Sequence, residues 1–278
     1  MKIGVTLRNM GPQSSREMLA DGALAAERLG FDSIWITDHV AIPPDDAEGS
    51  GGRYTDPLST LAWLGGLTRR IALATGVLIL PYRAPLPTAR QIATVQDLTG
   101  NRLLLGVGVG WMAAEFRALG VDRRQRGRLT DEMLEFLSEC FAHEVVTRNG
   151  QPFIFAPRPP APPVYVGGAA PQALGRALRF GHGWLPMARD PDSLAGDLTT
   201  FRELARGVGQ TPGPVTVMTG LPLNDTARAL DRARAYAALG IERLVCALRY
   251  DTPAQYLDGV ERLAELRARL AAAGDDNT

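Results

Sequence analysis

Runs rich in valine, isoleucine and leucine alternate along this chain with segments of 3.6-residue hydrophobic period, and that order restricts the fold more than any other feature. KIGVTL (2–7) reads as a strand, and Ser14 to Leu29 as a helix closed by Gly30. DSIWIT (32–37) reads as a second strand, followed by a polar, Gly/Pro-rich loop from Asp38 to Pro57 and a helix through Leu67. IALATGVLIL (71–80), a helix over Pro87–Leu98 and RLLLGVG (102–108) continue the order. An Arg-rich link then leads to an amphipathic helix over Leu129–Ala142. VVTRNGQPFIF (145–155) interrupts the alternation, and Asn149-Gly150 between its two β-prone runs predicts a hairpin. PPVYVGG (162–168), Pro171–Phe180, GWLPM (183–187), Asp192–Arg206, PVTVMTG (214–220), Asp225–Leu239, ERLVCAL (242–248) and Thr252–Ala272 complete eight strand–helix units.

Continuous apolar strands indicate a sheet buried on both faces, and strict βα alternation requires parallel pairing. Eight such units favour closure into a (β/α)₈ TIM barrel over an open doubly wound sheet. No linker rich in Pro, Gly or Ser divides the chain, so residues 1–278 read as one barrel domain with a small hairpin insertion after the fourth βα unit. Chemistry in such a barrel gathers at the C-terminal ends of the strands.

Composition removes several function classes. Thirty basic residues balance thirty acidic ones, which lacks the electrostatic footprint of a nucleic-acid partner. The opening MKIGVTLR reads as a strand and no apolar run reaches the length of a membrane span, so a cytoplasmic protein with no membrane partner is expected. Cys140 and Cys246 lie far apart with no CxxC, which suggests two buried thiols. No HExxH or clustered ligand spacing supports a metal. Every basic residue except Lys2 is an arginine, and Lys2 begins the first strand. Schiff-base enzymes, pyridoxal phosphate enzymes and GxxxxGK[ST] nucleotide loops each need a lysine at the chemistry, so all three are disfavoured.

At the strand ends, Thr37-Asp38-His39 delivers a carboxylate and an imidazole onto the expected catalytic face. The imidazole can exchange a proton near neutral pH while Asp38 orients it or binds a ligand. The structural alternative has Asp38 capping a turn and His39 satisfied in place. Ala74-Thr75-Gly76-Val77 sets a glycine inside a branched strand, the mark of a bulge or of a close ligand approach, with simple packing as the alternative. Gly106, Gly108 and Gly110 in GVGVGW fail the dinucleotide fingerprint, whose third glycine falls on Trp111. Read otherwise, they leave room for a planar ring, with Trp111 walling the pocket and Glu115 one helical turn further on. Gly167-Gly168-Ala169 opens a helix whose free amides could take a phosphate, unless it is an ordinary tight turn. The cluster Arg123–Arg128 reads as a solvated face, with Arg126 the candidate for pairing with an anionic cofactor tail. His143 and His182 read as structural.

GFDSIWITDHV (30–40), ATGVLILPYRAP (74–85), LLLGVGVGWMAAEFRALGV (104–121), RGRLTDEML (126–134) and VYVGGAAPQALGRALRFGHGWLP (164–186) together resemble the bacterial-luciferase-like superfamily, in particular its coenzyme F420-dependent oxidoreductase branch. The resemblance implies a barrel that holds a deazaflavin or FMN at its strand C-termini, commonly as a homodimer. It implies Asp38 and His39 beside the redox ring, with His39 handling the proton of a hydride transfer. It further implies a bulge of Thr75, Gly76 and Val77 behind the ring with a cis peptide between Gly76 and Val77. Gly108, Gly110 and Trp111 would line the coenzyme channel, and Gly167, Gly168 and Ala169 would take the phosphate. A glutamate used as a second acid/base by sugar-phosphate dehydrogenases of the superfamily maps near Val109, which disfavours a sugar-phosphate substrate. The TDH sequence resembles deazaflavin enzymes more than FMN monooxygenases, whose stretch often reads EHH. An FMN-dependent monooxygenase using O₂ is therefore the alternative. A barrel that binds a ligand without chemistry is a third reading.

Overall fold

The computed structural model describes residues 1–187 and 189–275. The first four barrel strands are β1 (Lys2–Thr6), β2 (Ser33–Ile36), β3 (Ala72–Ile79) and β4 (Leu103–Gly108). The hairpin strands β5 (Val145–Arg148) and β6 (Gln151–Ile154) form their own antiparallel pair. The barrel resumes with β7 (Val164–Gly167), β8 (Gly183–Leu185), β9 (Thr216–Thr219) and β10 (Arg243–Cys246). Every barrel pairing is parallel, in the order β8-β7-β4-β3-β2-β1-β10-β9. Parallel bridges Trp184 to Val215 and Met187 to Met218 join the two ends. The result is the expected (β/α)₈ barrel. Closure is thin because Pro186 and Pro214 carry no amide hydrogen to donate, although both carbonyls accept, from Met218 (3.1 Å) and Trp184 (3.0 Å).

The helices are α1 (Arg16–Arg28), α2 (Pro57–Leu67), α3 (Pro85–Leu98), α4 (Ala113–Ala118), α5 (Arg126–Ala142), α6 (Gln172–Phe180), α7 (Pro191–Gly207), α8 (Thr226–Ala238) and α9 (Pro253–Asp275). Side-chain caps begin several of them: Ser15 accepts from the Met18 amide, Asp56 from Ser59, Asp190 from Ser193 and Asp225 from Arg228. The hairpin turns on Asn149 (φ 51°) and Gly150 (φ 76°), the left-handed pair that its dipeptide foretells. The largest departure from expectation lies between β4 and α5. Helix α5 starts at Arg126 instead of Leu129, and the link before it carries α4, a helix too short to show a hydrophobic period.

Trp35, Leu104, Tyr165, Leu185, Met218 and Val245 fill the barrel interior, so it is a packed core below the rim. Cys140 and Cys246 are buried free thiols, and burial pushes Cys246 up to about 12. Lys2 pairs with Glu242 at 3.0 Å, at the strand N-termini and away from the catalytic face. Among the described residues no helix is long and apolar enough to cross a membrane.

Candidate active site

The loop after β2 is held from below by Asn9, a fully buried residue just past β1. Its amide nitrogen donates to the carbonyls of Thr37 and Thr55, both at 2.9 Å, and its carbonyl oxygen accepts from the Thr37 amide at 2.9 Å. A buried amide with its donors and acceptor paired has one stable orientation, which aims the next two residues over the rim.

Those residues, Asp38 and His39, have different surroundings. Asp38 is closed off from solvent: Arg83 grips it with two bonds of 2.8 and 3.0 Å, and the Ile79 amide donates to it at 2.8 Å. Burial pushes its carboxyl up against the opposing pull of Arg83 and the Ile79 amide. Both oxygens are thus engaged by the protein. The arrangement ties the β2 loop to the end of β3 and leaves no free oxygen toward a ligand.

His39 leans instead on Glu115. Its Nδ1 lies 3.0 Å from Glu115 Oε2, which also accepts from the Tyr82 hydroxyl at 2.9 Å. The amides of Val40 and Ala41 donate to Oε1 at 2.6 and 3.0 Å. Burial raises the Glu115 carboxyl, but the Ala41 and Val40 amides, Tyr82 and His39 outweigh it and hold it below the usual carboxylate range. Burial and the same carboxylate push the Tyr82 hydroxyl far up, so it stays a donor. An ionised Glu115 with acceptor-only oxygens places the imidazole hydrogen on Nδ1. Nε2 has no hydrogen-bond partner among the described residues, and the side chain is 18% exposed. Tyr54 (5.0 Å between ring centres) and Trp111 (6.0 Å) flank the ring.

Beside this dyad, β3 and β4 slip register between Thr75 and Leu78, giving a bulge at Gly76 and Val77, and the peptide joining them is cis. Val77 is half-buried while its neighbours from Leu73 to Leu80 are buried. Two of the glycines around it make room for its side chain. A Cβ on Gly108 would come within 2.5 Å of Val77, and one on Gly167 within 2.8 Å. Gly110 (φ 76°) turns tightly against Ile79 and Phe116. These glycines therefore seat Val77 and the chain that follows it.

The amides of Gly168 and Ala169 find no acceptor among the described residues, and both residues are exposed at the start of α6. Arg126 Nη1 donates to the Gly110 carbonyl at 2.9 Å, which puts that arginine against the β4 loop. Trp111 is 64% exposed. His182, read as structural, is stacked on Phe180, and burial lowers its pKa.

The sequence profile of the luciferase-like monooxygenase family matches residues 1–276. The chain belongs to that family. It is 30% identical over 252 residues to an F420-dependent glucose-6-phosphate dehydrogenase of Kineococcus radiotolerans, covering 84% of this chain and 73% of that one. It is 31% identical over 220 residues to an F420-dependent hydroxymycolic acid dehydrogenase of Mycobacterium tuberculosis, covering 76% and 59% respectively. The crystal structure of the monooxygenase RslO1 from Streptomyces bottropensis superposes with a TM-score of 0.75 at 21% identity, over 95% of this chain and 98% of that one. This last likeness carries the fold alone.

Four residues of the site escaped the reading of the sequence. Glu115 was placed near Trp111 without a role, and Asn9, Tyr82 and Arg83 gave no spacing signal. A carboxylate a few residues past a Gly-rich strand end, on the catalytic rim, was the one available hint.

Proposed function

We propose that this luciferase-like oxidoreductase moves a hydride between coenzyme F420 and a small organic substrate, with His39 handling the accompanying proton at Nε2. The observation that carries this reading is the His39–Glu115 pair, whose Nε2 has no hydrogen-bond partner among the described residues in a side chain that is part exposed. The two relatives named F420-dependent, both at or above 30% identity, favour the deazaflavin. When bound, F420 supplies a hydride-accepting or hydride-donating ring and leaves the proton to the protein.

The residues at the rim fit such a group. Thr75, Gly76 and Val77 would support one face of the ring, Gly108 and Gly110 acting by seating Val77 and the β4 loop. Trp111 would wall the channel. The amides of Gly167, Gly168 and Ala169 would face the phosphate at the α6 N-terminus, with Arg126 the nearest candidate cation from α5. Asp38 is assigned a positioning role through Arg83. In the oxidising direction Nε2 takes the proton of a substrate hydroxyl, and in the reducing direction it returns one. Glu115 stabilises the imidazolium that forms between these events.

Titration with F420 and, separately, with FMN tests the coenzyme. F420 is expected to quench protein fluorescence with an affinity at least about tenfold above FMN. Tighter FMN binding with O₂ consumption would establish the monooxygenase reading instead. Light scattering tests the homodimer expected for the cytoplasmic enzyme.

A further inference from the structure

A second open space lies on the same rim, over β9, β10 and β1. It measures about 920 Å³ and is lined by apolar side chains such as Met10 and Leu248, by the polar and acidic Asn224, Asp251, Gln255 and Asp258, and by the cations Arg8, Arg249 and Arg262. Cavities of this size and mixed character suit small-molecule ligands.

Arg8 is the built feature of this wall. Its backbone amide donates to the Tyr250 hydroxyl at 2.7 Å, its Nη1 donates to the Tyr250 carbonyl at 2.8 Å, and its guanidinium carbon lies 5.8 Å from the centre of the Tyr250 ring. Nη2 reaches the Gly49 carbonyl at 3.4 Å, and Nε is buried with no partner. The guanidinium is thus held in place chiefly by neutral groups. The one carboxylate near it, Asp251, stands 3.9 Å away and is 83% exposed, so water screens it. Arg262 is neutralised by Asp258 at 2.9 Å. Arg8 and Arg249 against Asp251 leave a single uncompensated positive charge among the lining side chains.

The exposed amides after β7 lie four strands from β1 on one path around the barrel and two strands from β9, through β8, on the other. At the β1 edge of the cavity, the backbone of Met10 bridges to that of Tyr54, whose ring stands 5.0 Å from the His39 imidazole.

We propose that this cavity takes the substrate, and that Arg8 binds one negative charge on it. The substrate class is a carboxylate on an apolar skeleton. Naming the ligand a substrate rests on the hydride-transfer reading, whereas the binding site itself does not.

The test is calorimetric titration of the full chain, with and without F420, using octanoate and 1-octanol as probes. Octanoate is expected to bind at least about tenfold tighter than octanol, the size of one charge-assisted hydrogen bond. Arg8→Gln should remove that preference and leave octanol and F420 binding unchanged. Should Arg8→Gln not fold, Asn224→Asp adds a negative charge at an exposed lining position and should weaken octanoate alone by several-fold. Equal binding of the two probes, no binding of either, or full octanoate affinity in a folded Arg8→Gln or Asn224→Asp protein overturns the inference. Octanoate binding without F420 binding would remove the hydride-transfer reading and keep the carboxylate site. F420 binding without octanoate preference would do the reverse.

Discussion

The two halves of the barrel rim are built on opposite terms. Over β2, β3 and β4, the buried carboxylates of Asp38 and Glu115 have every oxygen bonded. Over β9, β10 and β1, Arg8 keeps a buried Nε without a partner beside an open cavity. A saturated network of buried polar groups has one low-energy arrangement, so it can hold a proton-transfer group to a fraction of an ångström. An unsaturated wall is completed by whatever enters. On the proposed function, chemistry falls to the first half and ligand choice to the second.

The largest effect that would test this division falls on His39. His39→Ala is expected to lower turnover by about 10²–10⁴-fold while F420 affinity stays close to wild type. Steady-state rates beside a fluorescence titration measure both, and unchanged turnover would transfer the proton role elsewhere. Next comes Glu115→Ala, which strands two backbone amides, a hydroxyl and the imidazole in a buried place. A loss of about 3–5 kcal/mol in urea unfolding is expected, the range for breaking a buried charged network. Glu115 also gives the contrast a pH signature. Its folded pKa is depressed below the ordinary 4.5, so its contribution is present above that pH and disappears as pH falls through the folded value. Isosteric Glu115→Gln should therefore flatten the acid limb of the stability curve, and an unchanged limb would show that other carboxylates set it.

Much of the fold could be read because its periodicities are long. β3 and β4 read as continuous apolar runs and the amphipathic α5 as a helical period, and the Asn149-Gly150 turn was readable from two residues. At the site, position was legible where a strand delivers a residue directly: His39 follows the end of β2, and Gly76–Val77 forms the expected bulge. The reading failed where a distant loop supplies the partner. Helix α4 spans only Ala113–Ala118, less than two turns, so nothing in the local pattern announced that Glu115 would turn back to His39. Asn9 and Arg83 are polar residues recruited across loops, and no spacing rule connects position 9 to 37 or 83 to 38. One neighbour of Gly108 stayed hidden for a third reason: a Cβ there would meet Val77 of the adjacent β3, and only the shifted register brings that side chain against it.

That contact can itself be tested with a smaller effect. A methyl group on Gly108 would stand 2.5 Å from Val77 Cγ2, and a β-branched side chain confined by its strand has few rotamers into which to retreat. Gly108→Ala should cost about 1–3 kcal/mol, the usual penalty for overpacking. If Val77 is the obstacle, adding Val77→Ala should recover most of that loss in the double variant. A double variant no better than Gly108→Ala alone would mean that the glycine is needed for some other neighbour.

The smallest effect belongs to the open half. Arg249 is exposed and, among the described residues, its side chain makes no hydrogen bond or ion pair, so folding neither desolvates it nor gives it a partner. A surface substitution under those conditions changes stability by no more than about 0.5 kcal/mol. Arg249→Gln should therefore unfold at the wild-type urea midpoint. Arg83→Gln provides the control from the closed half: it leaves the buried Asp38 with the Ile79 amide as its remaining donor, and its midpoint should fall clearly. Comparable losses in the two variants would mean that the open wall also contributes to holding the barrel together. The cavity could not then be treated as a surface free to be tuned for its ligand.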